Sequence, residues 1–206
     1  MPKRKHIDNP TPSVLTLTSY NHISWVYALR FLRASHSLES RLPSDKWKEN
    51  FESITNTAQR YNDRGIWLAS HLMEALAHLR FNGSESMEDA QSAIAAAWSY
   101  QTDVGSQIPQ LTALAHIIDV SCSIRQGNPK VMMTKLKEMT KMMDSILNDE
   151  EAWSVESERV AIPIHDAKQN SETVSNDTRA VLGIGRDGRD NLILSFLNKR
   201  DAYAIT

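Results

Sequence analysis

Apolar residues recur at helical spacing through most of the chain. Asn21 reads as an N-cap, and Ile23, Val26, Tyr27, Arg30, Phe31 and Ala34 then line one side of a helix predicted to run to about Glu39, its far side polar. After Pro43-Ser44-Asp45, the positions Trp47, Phe51, Ile54, Ala58 and Tyr61 follow at steps of four, three, four and three, which is one face of an α-helix. Asn62-Asp63 ends that helix and caps a third, whose stripe Ile66, Trp67, Ser70, Met73, Leu76, Ala77 and Arg80 leads to Asn82-Gly83. So short a turn makes the two helices antiparallel neighbours. Ser84 opens a fourth, with Met87, Ala90, Ile94, Ala97 and Trp98 inward and an end near Gly105. Pro109 in a first turn starts a fifth, with Leu111, Leu114, Ile117, Ile118, Ser121 and Ile124 on a wide apolar face closed by Gly127. Asn128-Pro129 caps a sixth, carrying Met132, Leu136, Met139, Met142, Met143 and Ile146. Met stripes at this spacing are usually core; an adaptable binding surface is the lesser reading.

The pattern fades at both ends. Residues 1–20 hold three prolines, the basic cluster Lys3-Arg4-Lys5 and a Thr/Ser-rich run, and are expected to form a disordered leader. The cluster is a candidate nuclear import signal, although three charges at a terminus are more often solvated sequence. Residues 148–190, with an acidic patch, an isolated Trp153 and the segment Ile162-Pro163-Ile164, are expected to be a long loop, partly disordered. In residues 191–206, Leu192, Phe196, Leu197 and Ala204 suit the start of a further helix, which stops without a cap, as though the native protein or its template continued past Thr206. The helical-repeat domain is thus placed at residues 21–147, with about six helices.

Trp47 and Met87, Ile54 and Ile94, and Ala58 and Trp98 are each 40 residues apart. Two-helix units of this size stack into α-solenoids, in which each hairpin buries its face on the next. The expected fold class is all-α, with antiparallel helix pairs stacked as a tetratricopeptide-like α-solenoid. The 34-residue tetratricopeptide signature itself is absent. A plain antiparallel bundle fits the periodicity equally well.

Composition narrows the function classes. The 206 residues carry 23 basic and 25 acidic side chains, a formal net charge of −2, which gives no general pull toward phosphate backbones or anionic membranes. Direct nucleic-acid binding is not expected. The single cysteine, Cys122, sits among apolar neighbours and suits a reducing compartment, and no run approaches the roughly 18 apolar residues of a membrane span. Gly183-Ile-Gly185-Arg-Asp-Gly188 has the Gly-x-Gly-x-x-Gly spacing that lets amides approach a pyrophosphate, but the required strand in a parallel sheet and a later acidic residue of a βαβ unit are missing, so a glycine-rich turn is the expectation. His71, Glu74 and His78 share a helical face that a metal could use, yet they do not form His-Glu-x-x-His, and a polar helix interface explains them better. No nucleophile-elbow pattern appears. Neither catalytic, cofactor nor metal residues are assigned, no small-molecule substrate is expected, and the partner-binding residues are left unknown.

Several segments carry a resemblance. They are Arg64-Gly-Ile-Trp67, His71-Leu-Met-Glu-Ala-Leu-Ala-His-Leu-Arg80, Ala90-Gln-Ser-Ala-Ile-Ala-Ala-Ala97 and Gln107-Ile-Pro-Gln-Leu-Thr-Ala-Leu-Ala-His-Ile-Ile-Asp-Val120, with Val181 to Asn191 and Ser195 to Thr206. Together they resemble the fungal branch of the cohesin-loading factor family, the helical-repeat smaller subunit of the complex that places cohesin rings on chromosomes, over roughly residues 22–206. The resemblance rests on overall texture, and it suggests a fragment, since family members are much longer. It implies a nuclear, non-enzymatic adaptor, without cofactor, whose solenoid wraps the N-terminal segment of the loader's large subunit and so supports sister-chromatid cohesion, with cohesin and chromatin as indirect partners. Two alternatives remain open: a helical-repeat interaction module of another nuclear assembly, such as a transcription regulator, and a nucleotide-binding protein using the glycine-rich segment.

Overall fold

A computed structural model describes residues 22–40, 44–80, 84–104, 108–146, 149, 151, 153–154, 157–165 and 178–205. The leader at 1–20, Asn21, Pro43, Asn82-Gly83, Gly105 and residues 168–177 lie outside the described residues.

Six long helices form where the apolar spacing places them: α1 (Ile23–Glu39), α2 (Ser44–Tyr61), α3 (Arg64–Arg80), α4 (Ser84–Val104), α5 (Pro109–Arg125) and α6 (Pro129–Ile146). Each packs on the next, and α3 also packs on α5, so successive hairpins lie side by side. The chain is mainly helical, with the neighbour packing of a helical repeat. Ser44 and Ser84, which open α2 and α4, are 40 residues apart, as the repeat predicts.

The local signals act as expected at several joints. Asn62 takes φ +56, which lets α2 stop and α3 begin within two residues. Pro109 occupies the first turn of α5. Gly127, at φ +65, donates to Ile124 O while Asn128 N–H reaches back to Ser123 O, the paired bonds of a Schellman end. Asn128 Oδ1 then accepts from Val131 N–H at 3.2 Å and caps α6.

The region after α6 departs from the expectation of a loop followed by a helix. It contains β1 (Arg159–Pro163), β2 (Leu182–Ile184) and β3 (Asp190–Ser195), an antiparallel sheet in the order β1-β3-β2, and only then the short helix α7 (Lys199–Ala204). Ile162 pairs with Leu192, and Leu192 also pairs with Leu182. The alternation Val160, Ile162, Ile164 buries one side of β1. Residues 190–195 place Leu192, Ile193 and Leu194 in succession, which suits a central strand better than a helix stripe.

The sheet is part of the main core. Val160, Ile162, Ile164, Leu182 and Leu192 are buried in one cluster with Tyr27, Trp47, Phe51, Ile54, Leu72 and Ile118. β3 packs on α1 and β1 on α3. These contacts fall at the end of the stack where the odd-numbered helices begin. Ser24 Oγ, in the first turn of α1, donates to Asp190 Oδ2 at 2.6 Å, and a Cβ on Gly65, in the first turn of α3, would lie 2.8 Å from Ile162 Cγ2 and 3.4 Å from Ile108 Cδ1. A second cluster joins Ala113, Met139, Met143, Trp153 and Ala202. Trp153, which looks isolated in the sequence, is therefore a core residue. Ile124, expected on the apolar face of α5, is instead 58% exposed.

Candidate functional site

The glycine-rich segment is a hairpin turn. Gly185 N–H donates to Arg189 O, Gly188 N–H donates to Gly185 O, and Gly188 takes φ +76, so residues 186–188 make the tight loop that links β2 to β3. The sheet is antiparallel, and the segment opens no helix; the geometry of a pyrophosphate cradle is not formed here.

His71 and Glu74 pair with each other along α3, and His78 serves contacts between helices. His71 Nδ1 lies 3.2 Å from Glu74 Oε2, with its ring against Trp67, whereas His78 Nδ1 lies 3.4 Å from Asp89 Oδ2 on α4, with its ring edge-on to Trp47 at 5.0 Å. Lys48 reaches the same Asp89 oxygen at 3.3 Å, so α2, α3 and α4 are joined at one polar point. Burial holds His78 below the ordinary imidazole range, against the pull of Asp89. Each histidine thus has its own carboxylate, and among the described residues no group of three or more His, Cys, Asp or Glu is arranged to hold a metal.

Of the sixth helix's stripe, Met139 and Met143 are fully buried and Met132, Leu136, Met142 and Ile146 are half-buried, while Met133, off the stripe, is 46% exposed. Cys122 is buried, and that burial pushes its thiol up.

The surface feature that the sequence reading passed over lies on α1. Leu32 is 64% exposed, on the side expected to be polar, and it borders a cleft of about 650 Å³ between α1 and α2. Arg33 and His36 from α1 and Lys46 and Glu49 from α2 line the same cleft, with Lys46 Nζ 3.8 Å from Glu49 Oε2. Arg30, one turn before Arg33, is partly buried, and its Nε is shielded from water without a hydrogen-bond partner. Desolvation, then the charge of Arg33, lowers the affinity of its guanidinium for a proton. A leucine off the apolar stripe, flanked by arginines, was the sequence signal for this cleft.

What the arrangement can do is bind. Helix pairs with clefts between them present preformed surfaces, and no helix among the described residues is long and apolar enough to cross a membrane. Against known protein families, the model described as cohesin loading factor matches residues 13–206, nearly the whole chain. The chain belongs to the cohesin loading factor family. No curated protein and no solved structure matches it significantly. Membership in the cohesin loading factor family gives the chain a role in cohesin loading and makes its interactions those of the loading machinery. The region matched includes the sheet and α7 as well as the six long helices, so these later elements belong to the same family unit.

Proposed function

We propose that this cohesin loading factor is a non-enzymatic adaptor, acting in the nucleus, that holds the N-terminal segment of the loader's large subunit and so supports loading of cohesin onto chromatin for sister-chromatid cohesion. The observation that carries the reading is the coincidence of the family match, residues 13–206, with a stack of helix pairs whose core is closed by a sheet. The family match favours this reading over an interaction module of another nuclear assembly.

The physical mechanism is capture of an extended segment. An otherwise disordered peptide loses conformational freedom when it is held, and contacts distributed along several helix pairs offset that cost. A preformed partner keeps the ordering cost on one side of the interface only. The test is a pulldown in which the purified chain is mixed with the large subunit's N-terminal segment. Saturable capture at near-equal stoichiometry is expected; recovery of the segment at the level of a bead control would overturn the reading.

A further inference from the structure

We propose that the cleft between α1 and α2 is a docking site for an extended acidic segment of a partner protein, with Leu32 as its apolar anchor and Arg33, backed by Arg30, as its carboxylate receiver. The inference rests on the reading of the chain as a protein-binding adaptor, and it adds a specific surface and a charge requirement.

Three observations converge on this place. The first is an uncompensated pair of cations: Arg30 and Arg33 lie one helical turn apart, and neither has a salt bridge among the described residues. Arg30 does not line the cleft, but its permanent positive charge beside Arg33 adds to the field that an anion on Arg33 would meet. The second is the cleft's own charge: its one lining carboxylate, Glu49, lies 3.8 Å from Lys46 Nζ, which leaves Arg33 as the cation of the lining that an incoming carboxylate can meet. The third is Leu32, whose side chain stands in solvent at the border of a cleft roomy enough for a peptide.

Together these features select the occupant. A planar guanidinium pairs with carboxylates through two parallel hydrogen bonds, and removal of an exposed leucine from water adds a contact that a free anion cannot supply. An extended chain fits because its residues i and i+2 face the same side, which allows an apolar residue on Leu32 and an acidic one on Arg33.

The probe is a short fluorescein-labelled peptide that repeats Glu-Ser-Leu-Ser, so that Glu and Leu share one face of the extended chain, titrated with the full chain and followed by fluorescence anisotropy. Saturable binding is expected that weakens as salt rises, falls about tenfold in Arg33→Glu and in Leu32→Asp, and is unchanged in Lys137→Glu on the exposed face of α6. The same peptide with Lys in place of Glu should not bind. Absence of binding, or equal affinity for Arg33→Glu and the wild-type chain, overturns the proposal. Concentration-dependent dimerisation abolished by Leu32→Asp also overturns it, because the cleft would then belong to a second copy. Circular dichroism of each variant excludes unfolding as the cause of a loss. The failures are separable: a chain that captures the large subunit but ignores the peptide sinks this proposal and leaves the adaptor reading standing. A chain that binds the peptide but not the large subunit does the reverse.

Discussion

Asp63 joins three parts of the molecule, and its removal is the sharpest test of how they are held together. Its side chain is buried between α2 and α3; Oδ2 accepts from the Tyr27 hydroxyl of α1 at 2.6 Å and Oδ1 accepts from the His165 backbone N–H, just past β1, also at 2.6 Å. Hydrogen bonds to a charged group contribute about 1.5–3 kcal/mol each, and a buried donor left without a partner costs a comparable amount. Asp63→Ala should therefore lower stability by about 3–6 kcal/mol, a large share of the ~5–15 kcal/mol typical of a whole domain. Tyr27→Phe removes one bond and leaves the carboxylate its His165 partner, so about 1.5–3 kcal/mol is expected. Urea unfolding followed by far-ultraviolet circular dichroism measures both, and the double variant should show a coupling of about 1–3 kcal/mol. The same contact makes a pH prediction. Burial first, then the bond to Asp63 and its charge, push the Tyr27 phenol well above its ordinary value near 10. The folded state keeps the phenol neutral while the unfolded chain ionises it. Stability should be insensitive to this group below pH 10 and fall above it by up to ~1.4 kcal/mol per pH unit, a slope that Tyr27→Phe removes. A loss below about 1 kcal/mol in Asp63→Ala, or strict additivity in the double variant, would refute the reasoning.

Other perturbations test the core and the histidines. Gly65→Val should cost about 1–3 kcal/mol, because even a Cβ there meets Ile162 Cγ2 at 2.8 Å; faster proteolysis between α6 and β1 would report the loosened sheet. Met143→Ala should cost about 2–4 kcal/mol in urea unfolding, with Met133→Ala within about 0.5 kcal/mol of the wild type, since the first is fully buried and the second half exposed. Burial holds His78 below its ordinary value of 6.5, so the unfolded chain takes up a proton first on acidification; stability should decline as pH falls below 6.5, and a His78→Phe variant should show a shallower decline in a pH series of thermal melts. Cys122 should resist a thiol reagent in the native protein and react on unfolding, its thiol being buried and raised by that burial.

The six helices were legible because each carries its own evidence. A stripe such as Trp47, Phe51, Ile54 and Ala58 spans several turns, and Asn62, Pro109, Gly127 and Asn128 mark joints by chemistry that acts within four residues. The sheet was not legible for the opposite reason. β1 and β3 are five and six residues long and lie about thirty residues apart, and each strand's pairing depends on the other. The period-two pattern of Val160, Ile162 and Ile164 was present but interrupted by Pro163, at the outer end of an edge strand, where a missing N–H breaks no ladder bond. Leu192 and Phe196 happen to be four apart, which mimics a helix. The cleft on α1 was missed because a single leucine on a polar face is ordinary; only its neighbourhood, an arginine without a salt bridge among the described residues and an open space, gives it meaning.

The sheet changes how the helix stack behaves. In a simple solenoid each hairpin touches only its neighbours, so the first pair can fray without disturbing the third. Here the bond from Ser24 to Asp190 spans 166 residues and that from His165 to Asp63 spans 102, and both fasten the beginnings of α1 and α3 to one small sheet. The second cluster, in which Met139 and Met143 of α6 meet Trp153 and Ala202, fastens the far end of the stack to the chain that leaves the sheet. Opening α1 would therefore expose not only its own face but the sheet residues Ile162 and Leu192, which raises the free energy of local fraying toward that of global unfolding. For an adaptor this matters at the cleft between α1 and α2. A helix pair held from behind by a distant strand keeps its outer surface in register before a partner arrives, so less of the binding free energy is spent on ordering it.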